Sequence, residues 1–266
     1  MNRGIRWILG ASMVVASAFG GAEIARGETE TAESGNVRAE VSYVKNEDDW
    51  CMSDMTLKLI RSGETILDRP LNVEEGLDCR LVDIKVRDLN GDREPEVIVD
   101  LYSGGAHCCF SSSIYSYQGD RDDYDSTNWF WGNVEYDLRD IEGDGIVEFK
   151  SSDNRFAYAF SSYAASRFPP QFLRFQNGEM VDVTESYPNL VYGYAYQIWQ
   201  EFQANGGQYK EADRAILAAY LASKYLLGQG EDGWQRVRQV YQWGDRAGFF
   251  SDLQDFLQKT GYAQSG

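Results

Sequence analysis

Two loops built to one plan constrain this chain more than any other feature. Asp88-Leu89-Asn90-Gly91-Asp92-Arg93-Glu94-Pro95-Glu96 and Asp140-Ile141-Glu142-Gly143-Asp144-Gly145-Ile146-Val147-Glu148 share an acid at position 1, an acid or amide at 3, Gly at 4, Asp at 5 and Glu at 9. Their first residues are 52 positions apart, from 88 to 140. Oxygen side chains at alternate positions around a glycine turn suit a loop that wraps one hard cation. Calcium takes about 6–8 oxygens in irregular geometry, whereas magnesium demands a stricter octahedron and keeps its waters, so calcium is the expected ion.

An EF-hand does not fit. It needs a bidentate Glu at position 12 and a helix on either side, but position 12 is Val99 in the first loop and Ser151 in the second. The first loop reads as lying between strands. Val82, Ile84 and Val86 alternate with Asp83, Lys85 and Arg87 before it, and Val97-Ile98-Val99 follows as a buried run. The competing reading is an ordinary polar hairpin turn, because Asn, Asp and Gly favour turns for local reasons. The pattern resembles the calcium loop of the FG-GAP/VCBS repeat, the blade unit of integrin-alpha-type propellers. What the resemblance implies is structural Ca2+ held by the side chains of Asp88, Asn90, Asp92 and Glu96, with a position-7 carbonyl at Glu94. The second set is Asp140, Glu142, Asp144 and Glu148, with the carbonyl at Ile146. Position 6 is Gly145 in one loop and Arg93 in the other, and Glu142 is one methylene longer than the Asp of the repeat. The string Ser103-Gly104-Gly105-Ala106-His107-Cys108-Cys109 after such a loop also resembles uncharacterised secreted bacterial proteins.

Residues 1–27 read as an export signal: Arg3 and Arg6 precede an apolar Trp7–Val15 run and small residues. The apolar run is too short to cross a bilayer, which needs about 20 residues. The expectation is therefore an exported protein, periplasmic or extracellular, with no membrane insertion after signal removal. Losing Arg3 and Arg6 takes the net charge from −17 to −19. So acidic a chain opposes nucleic acid and anionic membrane faces.

Residues 28–38 are polar and read as a flexible tail, and 39–188 as a β domain of short strands, including Phe156–Phe160 and a hairpin at Asn177-Gly178. Residues 189–262 carry helical spacing, with Ile216, Ala219, Tyr220, Ser223 and Leu227 on one stripe. The expected class is α+β: an antiparallel, propeller-blade-like β domain with two calcium-loop hairpins and a small C-terminal helical module. About 150 β residues hold at most three blades, too few for a closed propeller.

Four cysteines in an exported chain imply two disulfides. A Cys108–Cys109 bridge needs a strained ring, so each of the pair is expected to reach back to Cys51 or Cys79. Paired with Ser111 or Ser112, the single histidine, His107, could form a nucleophilic site, but nothing marks one. The functional expectation is a non-enzymatic, calcium-binding envelope or extracellular module for another protein or a glycan. Its rivals are a secreted hydrolase with a cleft between the β and helical parts, and a structural protein with metal-free turns.

Overall fold

The computed structural model describes residues 26–45, 51–71, 79–106 and 108–263. The expected export signal lies almost wholly outside them, and so does His107. The first sheet contains β1 (Arg26–Ser34), β2 (Val37–Lys45), β3 (Met52–Arg61) and β4 (Glu64–Pro70). The second contains β5 (Arg80–Arg87), β6 (Glu96–Tyr102), β7 (Phe110–Gln118) and β8 (Asp123–Gly132). The third contains β9 (Asp137–Arg139), β10 (Glu148–Ser152), β11 (Pro170–Gln176) and β12 (Glu179–Asp182). All pairings are antiparallel between chain neighbours, so each sheet is a meander, and none closes into a barrel. With α1 (Pro188–Asn205), α2 (Lys210–Leu226), α3 (Gly230–Val240) and α4 (Arg246–Lys259), the α+β class holds. Among the described residues no helix is long and apolar enough to cross a membrane.

The chain makes two compact units. The first runs to Gly132 and includes the hairpin tip Gln176–Glu179; the second holds Asn133–Phe175 and the chain from Met180 onward. In the first unit, period-2 alternation turns Val37, Ala39, Val41 and Tyr43 of β2 inward. They share a core with Leu57, Leu59, Ile84, Val97, Val99 and Leu101. Inner strand β6 is buried from Glu96 through Leu101.

Three expectations change here. Residues 28–38 are not a loose tail but most of β1 and the start of β2. β1 is a polar edge strand, and Glu28 and Glu30 accept hydrogen bonds from Tyr43 Oη at 3.1 and 2.8 Å. Val82 is not on the buried face of β5 but 49% exposed, because a bulge between Leu81 and Asp83 resets the alternation so that Leu81 and Ile84 point inward. Phe156–Phe160 is not a strand: Asp153 accepts from Arg155 N and caps a 3-10 turn over Asn154–Phe156. Phe156 then packs edge-on against Phe256.

In the second unit, α2 is the hub. The expected stripe residues Ile216, Ala219, Tyr220 and Ser223 are buried, and so is every residue from Ala215 to Lys224. Phe202, Val237, Phe249, Leu253 and Leu257 pack around it. The α2–α3 crossing depends on Gly233, where an added Cβ would meet Leu221 Cδ1 and Lys224 Cβ at 2.8 Å.

Candidate metal loops

The first loop joins β5 to β6 and the second joins β9 to β10, and their shared sequence gives shared hydrogen bonding. The position-1 carboxylate accepts from the position-4 and position-6 N–H groups. For Asp88 these are Gly91 at 2.7 Å and Arg93 at 2.9 Å; for Asp140 they are Gly143 at 2.7 Å and Gly145 at 3.1 Å. Position 5 accepts from position 7: Asp92 from Glu94 N at 2.7 Å, and Asp144 from Ile146 N at 2.9 Å. Position 9 reaches back to the position-2 N–H, Glu96 to Leu89 at 2.8 Å and Glu148 to Ile141 at 2.9 Å. Positions 4 and 6 are left-handed in both loops, at φ 82° for Gly91, 72° for Arg93, 74° for Gly143 and 87° for Gly145. Arg93 therefore holds a conformation that a side chain disfavours by about 1–2 kcal/mol.

The loops part company in their charge. Position-9 acids Glu96 and Glu148 are 3% and 0% exposed, and a buried carboxylate needs a counter-charge. Glu148 has one: the β10–β11 register sets Arg174 opposite it, and Arg174 Nε meets Glu148 Oε1 at 2.5 Å. The same guanidinium lies 3.0 Å from Glu142 Oε2, 3.6 Å from Asp144 Oδ2 and 2.9 Å from Tyr187 Oη. Three of the second loop's acids thus share one internal cation, whose pKa is pushed up by Glu148 against the opposing effect of burial. In the first loop, among the described residues, Glu96 Oε1 accepts from Asn90 Nδ2 at 3.3 Å and meets no cation. Continuing the β6–β7 register, in which Val97 faces Tyr115, places Ser116 where the second loop has Arg174. Burial pushes the Glu96 carboxyl up to about 7; Asp92 and Asp88 raise it further while the Leu89 N–H opposes. Glu94 turns away to Arg61, which grips it at 3.1 and 2.5 Å. Asn90 Oδ1 accepts from Asp92 N at 3.0 Å. Among the described residues no three His, Cys, Asp or Glu side chains gather as a metal cage.

Arg174 was not among the sequence-derived candidates. Its signal was an arginine inside the apolar run Phe172-Leu173-Arg174-Phe175, but only strand register reveals its partner.

The disulfides correct another expectation: Cys51 pairs with Cys79, and Cys108 pairs with Cys109. Cys51 and Cys79 lie just ahead of β3 and β5 with Cα atoms 4.4 Å apart, and Met52 N donates to the Cys79 carbonyl at 2.6 Å. This leaves no partner for Cys108 or Cys109 to reach back to. Ser103 fastens that turn, donating to the Cys108 carbonyl at 2.7 Å and accepting from Cys109 N at 2.6 Å. Ser112 is 1% exposed, donates to Asp100 at 2.5 Å and accepts from Trp131 Nε1 at 2.8 Å. Those contacts make it part of a buried network with Lys85, which also pairs with Asp100.

A known family description, the sll0997 C-terminal domain, matches residues 191–261. The chain is 30% identical over 220 residues to a probable thylakoid lumen protein, sll0997, of Synechocystis sp., covering 80% of this chain and 64% of that protein. It is 28% identical over 231 residues to an uncharacterized protein, y4bJ, of Sinorhizobium fredii, covering 78% of this chain and 33% of that one. The chain thus spans just under two thirds and one third of these relatives' lengths. No solved structure matches it. These matches overturn the resemblance to FG-GAP/VCBS repeats and to a secreted family drawn from the loop and its His-Cys-Cys string. The matched family lies in the helices, and no FG-GAP/VCBS repeat is found. The loops share residues that favour turns, and in both the position-1 carboxylate closes the Gly-Asp turn.

Proposed function

We propose that this is an exported, non-catalytic protein whose first acid loop takes calcium and whose second is closed by an internal arginine. Export rests on the charged and apolar start of the chain and on the Synechocystis relative, which its name places in the thylakoid lumen. The observation that carries the calcium reading is the contrast between the two position-9 glutamates. Glu148 is neutralised by Arg174, whereas Glu96 is buried opposite a serine position. The donor set of the first loop is all oxygen, which suits a hard cation. Each backbone hydrogen bond occupies one lone pair of a carboxylate oxygen and leaves the other free. Calcium at Asp88, Asn90, Asp92 and Glu96 would supply the missing charge and stabilise the folded state by mass action.

The test is calorimetric titration of the signal-less protein with calcium, beside Asp92→Ala and Asp144→Ala. One site, lost in Asp92→Ala and kept in Asp144→Ala, is the expected result. Two sites would show that Arg174 does not substitute for a cation. No binding at millimolar calcium would reduce both loops to self-capped turns.

A further inference from the structure

We infer that the outer face of α3, with the start of α4, binds an oxyanion through Arg238 and Arg246, a site independent of the calcium reading. Trp234 of α3 and Phe250 of α4 meet edge to face, with centroids 5.9 Å apart and planes at 84°. Each ring carries a guanidinium: Arg238 Cζ lies 5.1 Å from the Trp234 centroid and Arg246 Cζ 5.3 Å from that of Phe250. Arg246 also donates to the Arg238 carbonyl, which ties the two residues together.

Among the described residues neither guanidinium has a carboxylate partner, although the chain carries net charge −17 and Arg61, Arg155, Arg167, Arg174 and Arg214 each hold one. The nearby acid Asp232 is already engaged by Lys224 at 2.7 Å and Arg236 at 3.3 Å. Glu231 lies seven residues before Arg238, about 10 Å along the helix. A guanidinium over a ring has its rotamer held, and apart from the Arg246 N–H given to the Arg238 carbonyl, the remaining N–H donors suit recognition of carboxylate or phosphate. Both arginines line an open recess of about 700 Å³ whose other walls are the amides of Gln235, Gln239 and Gln242 and the side chains of Glu231 and Asp232, the latter already held by Lys224 and Arg236. Two like charges held together without an anion repel each other, and a bound oxyanion removes that repulsion. The ligand class is therefore a phosphoryl or carboxylate group.

The experiment titrates the signal-less, calcium-free protein separately with inorganic phosphate and with succinate, at ionic strength matched by sodium chloride. It follows the Arg Nε–H resonances and the amide spectrum by NMR. A saturable shift of the Arg238 and Arg246 signals is expected by about 10 mM, enough to fill a millimolar site. Response to phosphate alone assigns a phosphoryl ligand; response to succinate, alone or as well, assigns a carboxylate. Arg238→Gln and Arg246→Gln should each weaken binding by about fivefold or more, and the double variant should abolish it. Both side chains are exposed, so the variants retain the fold, and unchanged amide spectra away from the recess verify this. No shift with either anion, or a shift that survives in the double variant, overturns the inference.

Discussion

Replacing Arg174 with methionine tests the charge logic of the second loop. In the native protein Glu148 is 0% exposed and its two oxygens have one main partner each, Arg174 Nε at 2.5 Å and Ile141 N at 2.9 Å. Methionine keeps most of the side-chain volume and leaves Glu148 with the Ile141 N–H and the Tyr187 hydroxyl but no cation. Breaking a buried pair by removing one partner costs about 3–5 kcal/mol. For a chain of this size each kcal/mol moves the Tm by about 2–4 °C, so the expected fall is about 6–20 °C. The double variant Arg174→Met/Glu148→Met removes both charges and should recover most of the loss, because an apolar replacement of a buried pair is often near neutral. Thermal and urea unfolding measure all of this. A single-variant loss under about 1 kcal/mol, or a double variant as damaged as the single, refutes the claim that Arg174 neutralises Glu148. A further expectation rests on the calcium proposal: with the guanidinium gone, the second loop should become calcium-responsive, and calcium should restore part of the lost Tm.

Glu96, with its carboxyl pushed up to about 7 from an ordinary value of 4.5, holds a proton in the folded state that the unfolded chain has lost. Stability in chelator should therefore fall as pH rises between those values. Glu96→Gln should match the native protein near pH 4.5 and exceed it by up to about 3 kcal/mol at pH 8, at about 1.4 kcal/mol per unit; equal pH slopes for the two proteins would contradict this. Gly145→Ala, at φ 87°, should cost about 1–2 kcal/mol, while Arg93→Gly, at φ 72°, should be neutral or stabilising by up to about 1 kcal/mol in urea titrations. Replacing both Cys51 and Cys79 with serine opens a loop of sequence separation 28 and should cost about 3 kcal/mol. Dithiothreitol should reproduce that loss in the native chain but not in the variant.

Much of the architecture was legible from periodicity. The Val97–Val99 run and the Asn177-Gly178 turn fall where expected, the latter with φ 53° and 81°. The helical spacing over 189–262 was legible too, because burial of one face imposes a period. What the sequence hid was non-local or non-periodic. β1 escaped because a polar edge strand has the composition of a tail, and Val82 because one bulge residue inverts an alternation. The expected helix stripe understated α2, whose unbroken burial from Ala215 to Lys224 depends on neighbours on every side. At the loops, the repeated pattern correctly foretold equal backbone geometry but not unequal electrostatics. Arg174 follows Glu148 by 26 residues, and their contact exists only through the register of β11 on β10.

The meander topology has a consequence for how the chain acquires its shape when it is delivered N-terminus first. Among the described residues each strand pairs only with the strand just before or after it, so most ladders close over short loops, the longest connection being the stretch from Asp153 to Pro169 between β10 and β11. Closure entropy grows with loop length, so each hairpin forms at low cost as it appears. The first sheet can zip from β1 to β4 before β5 arrives, leaving few unpaired edges open to other chains at any moment. The order of synthesis and the order of assembly therefore coincide within each sheet.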